Sequence, residues 1–206
     1  MGNVEVLKRG DIQMTSAGTG ISHSEKAHGN KQVHFMQIWS VPSASRLPPT
    51  YFTRWVFLSL LWTSYWVLTY TSYFGTYSHF TDEQKKDKWV RVVAPINAPD
   101  VSSKRDDSGP APVHSPLSLY STILSPSASV PHTFAPGISK GYVHVIQTSG
   151  YNPKAASGGS VKVSGGDGVE QVLREGDGAY IFGEGQEIKV ENVGDIGAEV
   201  LLFDLE

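Results

Sequence analysis

Apolar and polar positions alternate with a period of two in short bursts along most of this chain, and Gly- and Pro-containing turns bound the bursts. That pattern predicts β-strands rather than helices. Near the start, Ile12-Gln-Met-Thr follows a turn at Arg9-Gly10-Asp11, and Val33-His-Phe-Met-Gln-Ile-Trp-Ser-Val41 is a β-rich run closed by Pro42. Further on, Trp89-Val-Arg-Val-Val93 is a strand. After it, strands recur at near-regular spacing over Leu117–Leu124, Gly141–Thr148, Ser160–Ser164, Gly178–Phe182, Glu187–Glu191 and Ala198–Asp204. Such spacing with Gly-rich turns predicts a sandwich or barrel. In Tyr142-Val-His-Val-Ile-Gln147 and Val200-Leu-Leu-Phe203 the apolar residues crowd together, as in strands buried on both faces or at a barrel closure. One helix is predicted, over Thr81-Asp-Glu-Gln-Lys-Lys-Asp-Lys88, where a Thr cap precedes acidic residues and basic residues follow. The turn Arg9-Gly-Asp-Ile-Gln recurs in outline as Arg174-Glu-Gly-Asp-Gly-Ala-Tyr-Ile, a faint sign of two copies of one unit.

Two stretches break the pattern. Between Arg54 and Asp82 there is no charged side chain, and Trp55 to Ser78 carries three of the five Trp, four of the nine Tyr and two of the eight Phe. Three readings stay open for this block. It is long enough for a transmembrane helix, although its eight Ser or Thr residues outnumber its six aliphatic ones. It could be an insert packed on the fold, although neither a period of 3.6 nor one of 2 runs through it. It could also be translated intron, because its removal joins Tyr-Phe-Thr-Arg54 to His79-Phe-Thr-Asp-Glu in ordinary protein text. The second break, Ala94 to Pro116, is rich in Pro, Ser and Asp and reads as a linker, with its core at 99–116.

Composition narrows the chemistry. The 206 residues allow one large β unit or two small ones, and a net charge of -3 excludes nucleic-acid binding by bulk positive charge. The absence of cysteine excludes disulfides, thiolate zinc sites, iron–sulfur clusters and a cysteine nucleophile, so a metal here would need His, Asp or Glu. No apolar run of signal-peptide length opens the chain, and Val6 stands where a myristoylation signal needs Ser or Thr.

The most informative segment is Gly18-Thr-Gly-Ile-Ser-His23-Ser-Glu25. On an extended strand, residues two apart share a face, so His23 and Glu25 would both point into a barrel. An imidazole and a carboxylate together suit a divalent first-row metal, non-haem iron in particular. The glycine-rich Gly165-Gly-Asp-Gly168 and Gly150-to-Gly159 segments lack the Lys-Ser/Thr sequel of a P-loop and read as hairpin turns.

Taken in order, Gly10-Asp11-Ile-Gln-Met, Ala17-Gly-Thr-Gly-Ile-Ser-His23-Ser-Glu25, His34-Phe-Met-Gln-Ile-Trp39 and Leu47-Pro-Pro-Thr-Tyr51 resemble the pirin family of cupins. The likeness continues through Gly176-Asp-Gly-Ala179 and Glu199-Val-Leu-Leu-Phe-Asp-Leu205, and so covers nearly everything except Trp55–Ser78. It implies an all-β fold of cupin double-stranded β-helix type, with tandem jelly-roll barrels (a bicupin) whose first barrel is incomplete here. It divides the chain into a partial N-terminal cupin domain (1–54 and 79–98), the uncharged insert (55–78), the linker (99–116) and a C-terminal cupin domain (117–206). The resemblance further implies one metal, Fe(2+) or another divalent ion, in the first barrel, held by three His and one Glu.

His23 and Glu25 match the last two of those ligands. The first pair lies in a His-x-His segment upstream of the Gly-Asp turn, and this chain starts nine residues before Gly10, so an N-terminal truncation and a half-complete metal site are expected. Nearby, His28 is expected to be solvated and His34 to be packed or hydrogen-bonded in the core. In the second barrel the ligand strand would fall near Val130-Pro-His132-Thr-Phe134, where His132 is single. His144 reads as structural, and no second metal is expected there.

Function follows from the same resemblance. One expectation is a quercetin 2,3-dioxygenase-type oxidoreductase acting on a flavonol-like small molecule, with Glu25 as ligand and proton acceptor. The other is a regulatory scaffold that binds a transcription-related protein, or a truncated product with no function of its own. A cytoplasmic and nuclear location, a monomeric state, and no direct contact with nucleic acid or membrane complete the expectation.

Overall fold

A computed structural model describes residues 4, 6–30, 33–54, 80–104, 107, 109–150 and 157–205, the side chains of 52–54 aside. The uncharged block at 55–78 lies outside the described residues. The strands are β1 (Ile12–Ser16), β2 (Thr50–Arg54), β3 (Val90–Pro95), β4 (Ala111–Val113), β5 (Ser118–Leu124), β6 (Ser129–Thr133), β7 (Lys140–Val145), β8 (Ser160–Gly165), β9 (Glu170–Arg174), β10 (Gly178–Phe182), β11 (Glu187–Asn192) and β12 (Ala198–Leu205). They form a two-stranded sheet β1-β2, a six-stranded sheet in the order β10-β7-β12-β5-β3-β4 and a four-stranded sheet in the order β6-β11-β8-β9. The fold is all-β and of cupin double-stranded β-helix type.

Alternation along β12 explains how the layers stack. Val200 and Leu202 face the four-stranded sheet and join one core with Val143 and Val145 of β7, Val163 of β8 and Val190 of β11. Leu201, Phe203 and Leu205 face the other way and join a second core with Val92, Leu119 and, from β1, Ile12 and Met14. The crowded apolar runs are therefore strands of a central sheet with a core on each face, as their composition predicts. The six C-terminal strands expected from the sequence form within one residue of their expected bounds, except that β7 ends at Val145, three residues before Thr148. Within 99–116, read above as a linker, Ala111–Val113 is a buried strand paired in parallel with β3. Its Pro-containing sequence sits at the sheet edge, where a missing N–H costs no ladder bond.

The short helix α1 (Asp82–Lys85) carries the expected cap. The Gln84 N–H donates to Thr81 Oγ1 at 3.2 Å and the Thr81 N–H to Gln84 Oε1 at 2.8 Å, a reciprocal capping box. The β-rich run Val33–Val41 differs from expectation. It has no strand pairing, and Phe35, Trp39 and Val41 are exposed, because no neighbouring strand offers it a ladder among the described residues.

Candidate functional site

The turn that follows β1 sets the position of His23 and Glu25. Gly20 N–H donates to the Ala17 carbonyl at 2.8 Å, and Gly18 has a φ of +54°. A Cβ at Gly18 would collide with the Leu47 carbonyl, so glycine lets the turn press against the Leu47–Pro48 backbone. Beyond the turn the chain runs without strand pairing, contrary to the strand expected at 22–25. His23 Nε2 and Glu25 Oε1 are nonetheless 3.8 Å apart, with side chains 46% and 44% exposed. The pair converges as an i, i+2 spacing predicts, but on the surface and not inside a barrel.

Among the described residues, no group of three or more His, Asp or Glu is placed to hold a metal ion. His28 is exposed, as expected. His34 is exposed too, which corrects the core position expected for it and follows from the unpaired state of its segment. His34 instead lies near His144 of β7. Burial, with the nearby His34 charge, holds the His144 imidazole below its ordinary value, against an opposing pull from Asp177. His144 Nδ1 is buried without a hydrogen-bond partner.

Sequence reasoning overlooked a polar pair inside the C-terminal barrel. His132 Nε2 lies 2.8 Å from Asp204 Oδ1, and both side chains are more than nine-tenths buried. The pair spans the two sheets, since β6 carries His132 and β12 carries Asp204. Asp204 shares the inward face of β12 with Val200 and Leu202, so it projects into the barrel. Three rings meet the His132 imidazole edge-on: Tyr120 at 4.9 Å, Phe134 at 5.2 Å and Trp89 at 6.3 Å between centroids. Burial, together with the Asp204 charge, raises the Tyr120 hydroxyl above its ordinary value, with Arg91 pulling the other way. The legible signal was a carboxylate two residues from Leu202 on the inward face of a closing strand whose other carboxylate, Glu199, lies on the opposite face, and a barrel interior tolerates such a group only with a partner.

A second buried carboxylate, Glu175, follows β9. Its oxygens accept from Thr148 Oγ1 at 2.6 Å, the Ser149 N–H at 3.1 Å, the Gly159 N–H at 3.1 Å, and the Ser149 hydroxyl. Burial alone would raise this carboxyl, but the Ser149 and Thr148 hydroxyls and the two amides overcome it and hold the group at about 2. Four donors satisfy it, so its geometry serves the connection between β7 and β8.

Comparison with known proteins agrees with the family resemblance. Residues 1–40 match the family model described as Pirin. Over 55 residues the chain is 42% identical to a quercetin 2,3-dioxygenase of Escherichia coli strain K12, and equally to that of Escherichia coli O157:H7. These matches take in 26% of this chain and 24% of each enzyme, so the aligned part is about a quarter of the curated relatives' length. The crystal structure of YhhW from Escherichia coli superposes with a TM-score of 0.61 at 22% identity, covering 100% of this chain and 64% of that one. That likeness establishes the fold.

Proposed function

Because the chain is a pirin-like cupin, we propose that it acts as a binding scaffold, and not as a self-sufficient quercetin 2,3-dioxygenase. The observation that carries this reading is the donor count around the expected metal position. His23 and Glu25 supply two donors on an exposed surface, and the described residues add no third. Non-haem iron sites that retain open positions for oxygen generally use three protein ligands or more. Two exposed donors also give up the dry, shaped surroundings that make a metal a useful Lewis acid. The described residues therefore do not by themselves fit the family's metal.

The enzyme reading keeps one specific support, the 42% identity to quercetin 2,3-dioxygenases over 55 residues. Metal analysis and a turnover assay separate the two. We expect purified protein, incubated with Fe(2+) and desalted, to retain far less than one iron per chain and to leave quercetin unconsumed. Stoichiometric iron that disappears in His23→Ala, together with quercetin turnover, would replace the scaffold reading with the enzyme one.

A further inference from the structure

We propose that the chain, in place of the expected monomer, pairs with a second copy of itself about a two-fold axis, through the run Val33–Val41 laid antiparallel on its counterpart. The run alternates in exposure as a strand does, but without a strand's partner. Its even positions turn to the body of the molecule. The Ser40 hydroxyl donates to Ser115 Oγ at 2.7 Å, His34 lies near His144 of β7, and Met36 and Ile38 are the least exposed of its large apolar residues. Its odd positions face solvent, with Val33 58%, Phe35 61%, Trp39 84% and Val41 86% exposed. Among the described residues its backbone groups enter no sheet ladder and no other backbone hydrogen bond, so a free edge lies beside an apolar face. Such an edge is a template for another strand.

The residues of the run select a copy of itself as that strand. Between Lys31 and Arg46 there is no Asp, Glu, Lys or Arg, so self-pairing brings no like charges together, and a partner of opposite charge would find nothing to recognise. Antiparallel pairing centred on Gln37 sets Phe35 opposite Trp39, Val33 opposite Val41 and Met36 opposite Ile38, each twice by symmetry. The available area suits a dimer. Tyr180 and Phe182 of β10, 68% and 69% exposed, extend the apolar surface through Tyr142, whose ring centroid lies 5.0 Å from Tyr180 and 6.2 Å from His144. Full burial of an aromatic side chain covers about 150–250 Å², so Phe35, Trp39, Tyr180 and Phe182 together leave on the order of 400–700 Å² to cover. That is at the upper end of what monomers expose in one patch. With the aliphatic residues of the run it approaches the roughly 800 Å² per partner of a standard specific interface. The pairing requires neither a metal nor a second kind of protein, so it stands or falls separately from the scaffold reading.

Sedimentation velocity of the full chain from about 1 to 100 µM tests this, since interfaces of standard size dissociate in the micromolar range or below. A closed dimer is expected, with no larger species. Phe35→Lys and Trp39→Glu, both at exposed positions, should keep the fold by circular dichroism and each weaken the dimer about thirtyfold or more. Mixed together, the two variants should form a heterodimer. The introduced ammonium of one copy then faces the introduced carboxylate of the other, while the second Phe35–Trp39 contact stays intact. Val33→Glu and Val41→Lys repeat the design should either variant fail to fold. A monomer throughout the range, open-ended association, single variants that dimerise as the parent does, or a mixture no tighter than either variant alone would each overturn the pairing.

Discussion

Glu175 shows how much a single side chain can organise. Its carboxylate ties Thr148 and Ser149, just past β7, to Gly159, just before β8. Because its folded value is depressed from 4.5 to about 2, the stability it contributes is fully present above the unfolded value and is lost as pH falls toward about 2. Glu175→Gln should therefore cost roughly 2 kcal/mol at neutral pH and flatten the acid limb between those values, as charge-assisted bonds become ordinary ones. Urea unfolding of the two proteins at pH 7 and at pH 3 checks this, because the difference should shrink at the lower pH. A difference that stays constant would mean the carboxylate is not charged in the fold. Nothing in the local sequence marked this residue. Its donors come from two other segments, and only the closed loop brings them together. The His132–Asp204 pairing was equally hidden, since the two residues lie 72 apart in the chain.

At the scale of elements, the Gly-Asp turn that recurs only faintly in the sequence recurs closely in geometry. In the first copy the Asp11 N–H donates to the Lys8 carbonyl at 3.1 Å, and the Lys8 N–H returns to Asp11 Oδ2 at 2.7 Å. In the second the Asp177 N–H donates to the Arg174 carbonyl at 2.9 Å, and the Arg174 N–H to Asp177 Oδ2 at 2.9 Å. Gly10 and Gly176 take φ of +84° and +86° at matching positions. The structural register pairs Lys8, not Arg9, with Arg174, so the repeat is one of geometry more than of spelling. Gly176→Ala should cost about 1–2 kcal/mol purely through its positive φ, because among the described residues a Cβ there would meet only the Gln147 side chain, at ordinary contact distance. A shift in the urea midpoint at constant slope measures it, and an unshifted midpoint would mean that the turn relaxes. Strands with clear alternation and glycine-bounded ends were legible for the same local reasons. The run Val33–Val41 was misread because alternation reports a strand's capacity to pair and says nothing of whether a partner lies alongside. Glu170–Arg174 was missed because its burial is confined to Leu173.

At the scale of the molecule, one charge cluster joins the turn before β1, helix α1 and the central strand β12. Glu199 Oε2 receives Arg9 at 2.6 Å, Glu199 Oε1 receives Lys85 at 3.0 Å, and Asp82 lies 3.0 Å from Arg9 and 3.6 Å from Lys85. The four groups are not equivalent. Arg9 and Asp82 have side chains more than half exposed, so water screens their pairing, whereas Lys85 is buried with Glu199 as its nearest carboxylate. The Lys85 carbonyl also accepts from the buried Thr122 hydroxyl at 3.1 Å, which pins the helix to β5. Exposed pairs contribute under about 1 kcal/mol, while removing one partner of a buried pair strands a charge at about 3 kcal/mol. Arg9→Met should therefore change stability by less than about 1 kcal/mol. Glu199→Gln should cost about 3 kcal/mol, since it leaves the Lys85 ammonium with only the more distant Asp82. Added salt should erase the effect of the first substitution and leave most of the second, because buried pairs are little screened. Urea unfolding at low and high ionic strength reads both. Equal losses in the two variants would show that Lys85 finds water in the folded chain.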